Sequence, residues 1–477
     1  MKLRLTYLLL LAITITHLSC DKQLSEPPRN ARVEGTAITD EKTARISLNG
    51  VYYRLAGVNS NNVTYWLNHQ MTGGMHTGML GYAYGSFRDE FNENQNSQFS
   101  GGLWDENYQL LNAANGVIRG INAVSDHMFT GNRKNELLAE SRFLRAYAHF
   151  KLLIYFAEWY KPGSPYGVLL RNELSTLSNI PKARSSVADS YQFILDDLDY
   201  AIANGPAANP AYYATKWTAM ALKMRVLMSR GGQNDYTVVI DLANTVGQSG
   251  SYALENNLKD LFYVKGLNSK EVILGIKPQP NQEVFRYILS RQYYPGASGL
   301  YVAKQGFKDL FRNDPREAWM VGPLVPRAQA TSPGARYFTK YIPYEGTPSQ
   351  TTETSYAFRL TEVYLLQAEA IIRSGGSLPA AKTLIKTVMA KAGVSDFTVI
   401  DNASTPEELL LQNYYEILRN LTGEDGIEWM ALLRLPFNTV RQLKPTITSQ
   451  KQYILPIPLI EFLQNPVIGD QNPGYDR

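Results

Sequence analysis

At 477 residues, 44% hydrophobic and 19% charged, the chain is long enough for two or three average domains or one large helical domain, and it is too apolar to remain disordered. The net charge is +4, but setting aside Lys2 and Arg4 at the extreme N-terminus leaves 45 basic against 43 acidic residues, and no basic stripe runs through the chain, so no nucleic-acid partner is expected. The single cysteine, Cys20, excludes an internal disulfide and a cysteine-cluster metal site.

The first segment reads as an address. Lys2 and Arg4 precede an apolar stretch from Leu5 to Ile15, and the small Ser19 stands directly before Cys20. The apolar run is shorter than the roughly 20 residues a bilayer-spanning helix needs. Residues 1–19 are therefore expected to be a bacterial lipoprotein signal, with Cys20 as the acylated mature N-terminus; His17 stands where such signals usually carry Leu. The alternative is an ordinary secretion signal with an incidental cysteine. Residues 20–38, polar and interrupted by Pro27-Pro28, suit a tether between a lipid anchor and a folded domain spanning 39–477.

Helical periodicity dominates the chain beyond the tether. Leu144, Tyr147, Ala148, Leu152 and Tyr155 share one helical face, as do Leu360, Val363, Tyr364, Ala368 and Ile371. Thr405-Pro406-Glu407-Glu408 is a capping box with proline at the first helical position, and Ser186 with Asp189 is a weaker version. The helices fall into about four tetratricopeptide-like pairs: Asp40–Leu55 with Trp104–Val124, Glu136–Trp159 with Val187–Ala203, Tyr212–Arg230 with a helix through Thr245, and Phe358–Ser374 with Pro379–Ala392. The predicted class is mainly α with minor β. Long irregular stretches are expected at 59–101, 161–183, 251–355 and 435–477, with one strand within Lys270–Lys277.

No catalytic constellation is legible. The histidines His69 and His76 lie near Asp89 and Glu90 without metal-ligand spacing, and there is no H-E-x-x-H, nucleophile elbow, P-loop or dinucleotide fingerprint. Neither enzymatic activity nor a metal or cofactor is expected.

Four segments carry a family resemblance. Ala139–Tyr147, AESRFLRAY, resembles the AEARFLRAY helix of the RagB/SusD family. Phe358–Ala370 is similar to its RLAEVYLLYAEA helix, and Trp104, Tyr108, Ala114-Asn115 and Ile118 resemble its early W-x-x-x-Y…AN-x-x-I helix. The ending Leu455-Pro456-Ile457-Pro458, Asn465-Pro466 and Gln471–Tyr475 resembles its LPIP…NP…QNPGY tail. One stretch departs: Glu416, Leu421, Glu424, Gly426 and Trp429 fit the family pattern only if Asp425 is an insertion, and Glu428 stands where Arg is common. The charges in these motifs, Glu140, Arg142, Arg145, Glu362 and Glu369, read as helix-pairing groups.

The resemblance implies an outer-membrane, surface-facing lipoprotein that lies over a SusC-like TonB-dependent transporter and hands it oligosaccharide. Oligopeptide cargo in the same role, or a helical scaffold binding only protein, are the alternatives. Ligand capture is expected from aromatics on the stretches 59–101 and 251–355, chiefly Tyr65, Trp66, Tyr82 and Tyr84 with the amide of Asn68, and secondarily Tyr293, Tyr294 and Trp319. Sugar C–H faces lie flat on such rings, while amides bond the hydroxyls at the ring edge; the same rings could equally pin the chain to its helices. Trp104, Trp159, Trp217 and Trp429 read as core. The anchor is directly testable. The native mature protein should begin at Cys20 and carry acyl mass on it in intact-mass analysis, and an unacylated N-terminus or cleavage elsewhere would remove the tether.

Overall fold

The computed structural model describes residues 37–83, 98–176, 178–293, 301–326 and 334–476. Cys20, Tyr84 and Tyr294 lie outside them. The scaffold is a run of long helices: α1 Glu41–Leu55, α3 Gln98–Asn122, α4 Arg133–Phe156, α5 Val187–Asn204, α6 Lys216–Arg230, α7 Gln233–Gly247, α8 Leu360–Arg373, α9 Leu378–Lys391 and α10 Pro406–Leu421. Local chemistry starts them where the sequence indicates. Thr405 and Glu408 close a full capping box with Pro406 at the first turn, and the Ser186 hydroxyl accepts from the Asp189 N–H. From α3 to α9 each helix packs on the next, α1 lies on α3, and α10 lies on α8. This is the tetratricopeptide-like stack of helix pairs expected, with one continuous apolar core along it. No helix among the described residues is long and apolar enough to cross a membrane.

The stretches 59–101 and 251–355 are not simply irregular. Leu67–Thr77 is a helix, α2, with ten of its eleven residues buried. Its Gly73-Gly74 pair lets the helix approach its neighbours closely. A Cβ on Gly73 would lie 2.6 Å from Cα of Gly426, and one on Gly74 would lie 2.6 Å from Leu80 Cδ1. Short strands β1 Leu80–Tyr82, β3 Tyr301–Ala303, β4 Val321–Leu324 and β5 Arg336–Phe338 form an antiparallel sheet in the order β1-β3-β5-β4. The expected strand within Lys270–Lys277 is β2 Val272–Ile276, antiparallel to β6 Ser355–Arg359. A second apolar cluster, from Leu67 and Met71 through Phe262, Tyr293 and Phe307 to Phe338, Tyr341 and Tyr356, fills the space between α2 and these strands. The region is a small subdomain with its own core.

A buried charge network joins the subdomain to the stack. At its centre is the turn 422–426 between α10 and α11 (Ile427–Leu433). Asp425 accepts from the Tyr147 hydroxyl (2.8 Å), Lys151 Nζ (3.0 Å) and Arg225 (2.6 Å), and Arg225 also grips Glu362 (2.5 and 2.7 Å). Glu424 accepts from Arg359 (2.8 Å) and Lys340 (2.6 Å), and Arg359 reaches on to Glu271. The other motif charges pair helices as the sequence suggests: Arg45–Glu140 at 2.6 Å, Arg145–Asp197 at 2.7 Å and Arg434–Glu369 at 2.6 Å. Asp425, the apparent insertion, is thus the residue on which α4 and α6 converge.

Glu428 is the odd carboxyl of this network. Lys151, Arg225, Lys340 and Arg359 are matched by Asp425, Glu362, Glu424 and Glu271. Glu428 Oε1 accepts the Gly423 N–H (3.1 Å), the carboxyl is also bonded by its own backbone N–H, and Oε2 has no hydrogen-bond partner among the described residues. Burial, outweighing the bonds from its own backbone N–H and from that of Gly423, pushes this carboxyl from its ordinary 4.5 up to about 7. Between those two values the folded chain keeps a proton that the unfolded chain has lost. Its contribution therefore makes stability fall as pH rises through that window, at about 1.4 kcal/mol per pH unit and roughly 3 kcal/mol in all. Glu428→Gln should flatten this part of the pH dependence in urea unfolding and should be the more stable protein above pH 7. Parallel pH profiles for the two proteins would show that Glu428 is ionised in the fold.

Candidate functional site

The expected binding aromatics divide sharply by position. Trp66 is only 1% exposed and stacks on His69 with ring centroids 4.9 Å apart. Tyr293 is also 1% exposed; its hydroxyl donates to Gln70 Oε1 at 2.6 Å and its ring stacks on Tyr341 at 5.6 Å. Both were expected on open loops and both are core residues, Trp66 in the core that runs along the helical stack and Tyr293 in the second cluster. Tyr65 and Tyr82 are half-buried against that cluster, Tyr82 edge-on to Tyr301 at 5.7 Å. Asn68 donates to Glu106 at 3.0 Å beside a crevice of about 30 Å³, too small for a ligand. Trp104, Trp159 and Trp429 are core as expected. Trp217 is not: it is half-exposed, its indole N–H donates to the Ala207 carbonyl, and Lys216 lies over its ring.

The two histidines are likewise structural. His69 and His76 are buried against Trp66 and Trp429, and burial lowers both to about 3, so they stay neutral at physiological pH. Among the described residues no group of three His, Cys, Asp or Glu side chains could hold a metal ion.

Trp319 is the exception among the candidates. It is half-buried and lines an open groove of about 700 Å³ together with Tyr263, Tyr344, Lys259, Glu317 and Thr339. Each ring is held by the subdomain beneath it. The Tyr263 hydroxyl lies within hydrogen-bond reach of the Trp319 (2.9 Å) and Thr339 (2.6 Å) carbonyls, and its ring meets Trp319 edge-on at 5.8 Å. Phe262 backs Trp319 from the core at 5.9 Å. Tyr344, 43% exposed, rests on Tyr337 at 5.6 Å. Behind this wall the contacts run Phe262–Tyr341 (5.7 Å) and Tyr341–Tyr293 (5.6 Å), so the aromatic core supports the aromatic surface. Lys259 and Glu317 put a donor and an acceptor at the rim. Its volume lies within the range of small-ligand sites, and its lining mixes aromatic rings with polar and charged side chains in comparable measure.

Comparison with known proteins agrees with this architecture. Residues 37–228 match the model of a family described as SusD-like_3, starch-binding associating with outer membrane, and residues 313–431 match that of the SusD family. The chain belongs to the SusD-like family. A SusD-like protein of Bacteroides ovatus is 26% identical over 187 residues, which span 38% of this chain and 33% of that protein. SusD-like protein P38 of Formosa agariphila is 22% identical over 421 residues, 78% of this chain and 79% of that one. Among solved structures, a SusD superfamily protein of Bacteroides thetaiotaomicron superposes with a TM-score of 0.75 at 21% identity, covering 91% of this chain and all of that one. A laminarin-binding SusD-like protein superposes with a TM-score of 0.72 at 20% identity, covering 92% of this chain and all of that one. These superpositions establish a SusD-like fold.

Sequence reasoning missed Tyr263, Tyr344 and Lys259. The available signal was the Phe262-Tyr263 doublet, in which neighbouring rings serve opposite purposes, one in the core and one at the surface. The division of the aromatics has a measurable consequence. Trp66→Ala and Tyr293→Ala should each cost about 3–5 kcal/mol in urea unfolding, the cost of emptying a core ring site. Tyr344→Ala should stay within about 0.5 kcal/mol of the parent. A similar loss in all three would place Tyr344 in the core.

Proposed function

We propose that this protein is a cell-surface glycan-binding lipoprotein that captures oligosaccharide at the Trp319–Tyr263–Tyr344 groove and delivers it to a SusC-like TonB-dependent transporter. The observation that carries the binding half is the groove itself, with three buttressed aromatic rings facing a cavity of about 700 Å³ and a lysine and a glutamate at its rim. Rings fixed in advance lose little conformational freedom on binding, which suits capture of flexible, hydroxyl-rich chains. A SusD-like fold shared with a laminarin-binding protein supports a glycan as the ligand class. The lipid anchor at Cys20 and the transporter rest on family membership and on the N-terminal pattern; an anchored lid over a barrel would hold captured ligand beside the entry path. Binding, not turnover, is the activity in this reading.

The test is isothermal titration of a panel of plant, algal and microbial oligosaccharides, beside a peptide mixture, against the parent protein and Trp319→Ala. A glycan should bind the parent, and Trp319→Ala should lose about 1–3 kcal/mol, the size of a central aromatic anchor, with its melting temperature unchanged. Full affinity in both Trp319→Ala and Tyr344→Ala would move the site off this groove. Peptide binding with no glycan binding would replace the ligand class. Gentle detergent extraction from the native membrane should co-purify a large β-barrel, and recovery of the protein alone would count against the transporter.

A further inference from the structure

We infer that the site does not end at the aromatic groove: a second groove continues it, and together they take a linear, uncharged oligosaccharide chain. This rests on the glycan reading and specifies its ligand. Beyond the turn 314–317 lies a groove of about 720 Å³, lined among others by Arg312, Asn313, Ser395, Asp396 and Val399. Asp314, Pro315 and Glu317 line both grooves, so the turn is a ridge that a ligand crosses and not a wall between distant sites.

The ridge is rigid. Arg316, fully buried beneath it, holds Asp314 (2.6 and 2.8 Å) and Glu416 of α10 (2.6 Å). On the far side Gly393, at φ 86° where the chain leaves α9, sits under Pro315; a Cβ there would lie 3.5 Å from Pro315 Cγ. The two walls are therefore seated against one another before any ligand arrives.

The two grooves differ in chemistry in a way that a chain can use. The first presents three aromatic rings, and among the described residues no aromatic side chain lines the second. Arg312, Asn313 and Ser395 are exposed along the second and can bond the hydroxyl edges of sugars that have passed beyond the stacking rings, while Asp396 beside them has its Oδ1 held by Thr398. A ligand of one or two sugars would be satisfied at Trp319 and would leave these groups to water, whereas a longer chain reaches both. Signs of charge are interleaved, with Lys259, Arg312 and Arg419 against Asp314, Glu317 and Asp396. Arg419 is already committed to the Leu310 carbonyl and Glu416. Asp314 is held by Arg316 and Glu317 lies 3.5 Å from Lys308, so the ridge presents paired charges and offers a polyanionic chain no complementary field.

The experiment compares chain lengths within each neutral series of β-glucan, α-glucan and xylan, using the trisaccharide and the heptasaccharide, with an oligogalacturonate heptamer as the charged probe. For the series that binds, the heptasaccharide should bind the parent about tenfold or more tightly than the trisaccharide. The double variant Arg312→Ala/Ser395→Ala, altered only at exposed side chains and checked by its melting temperature, should bring the heptasaccharide to the trisaccharide's affinity and leave the trisaccharide unchanged. Equal affinities for the two lengths in the parent, or a heptasaccharide unaffected by the double variant, would overturn the extended site while leaving the aromatic groove standing. An oligogalacturonate bound as tightly as the neutral heptasaccharide would overturn the assignment of an uncharged chain. Failure of every series, with peptides bound instead, would overturn the glycan reading and the extension with it.

Discussion

The structure turns on the burial of two adjacent carboxylates, Glu424 and Asp425, in the turn that ends α10. Charges taken out of water are costly unless each is met at close range, and here the cations arrive from four separate elements: Lys151 from α4, Arg225 from α6, Arg359 from β6 and Lys340 from the segment after β5. Such a network adds little net stability over a well-packed apolar alternative, yet removing any member leaves an uncompensated buried charge. Its effect is therefore specificity of assembly. The helical stack and the subdomain can dock in one arrangement that satisfies every member, and shifted arrangements strand an ion.

The groove inherits its geometry from that docking. Lys340 donates to the Asn420 and Thr422 carbonyls as well as to Glu424, and the neighbouring Tyr341 hydroxyl donates to the Gly423 carbonyl at 2.6 Å. The segment carrying Thr339 and Tyr344 is thus tied to the turn. The opposite wall is tied to the same helix through Arg316 and Glu416. Both sides of the groove are referenced to α10, so the spacing between Trp319 and Tyr344 is set by one rigid element. A binding surface built this way pre-pays much of the ordering that flexible loops would otherwise lose on meeting a ligand.

Local features were legible where their cause is local. Apolar residues recurring every three to four positions marked α4 and α8, although α4 is buried on nearly every side from Leu137 to Phe156, and Thr405 marked the start of α10 because its hydroxyl bonds a backbone N–H three residues away. Glu140, Arg145, Glu362 and Glu369 could be recognised as helix-pairing charges, since charged groups within an apolar face need partners. Their partners could not be named: Glu362 meets Arg225 across 137 residues of sequence. α2 went unrecognised because glycine lowers helix propensity, and its Gly73-Gly74 pair is there for a backbone contact with Gly426 that no local pattern announces.

The amino-acid order alone therefore settled the helical class, the pairing of successive helices, the absence of recognisable catalytic motifs and the family resemblance, because each depends on periodicity, capping or contiguous motif. Which aromatic faces solvent was decided only by the tertiary structure. Trp66 and Trp319 sit in comparable stretches rich in polar and aromatic residues, and propensity treats them alike. One became core when α2 seated on the 422–426 turn, and the other was left at the surface when β4 and β5 paired beneath it. A ring's exposure depends on what packs over it from distant segments, and in this protein two apolar cores bring those segments together while the buried carboxylates of one turn fix their register.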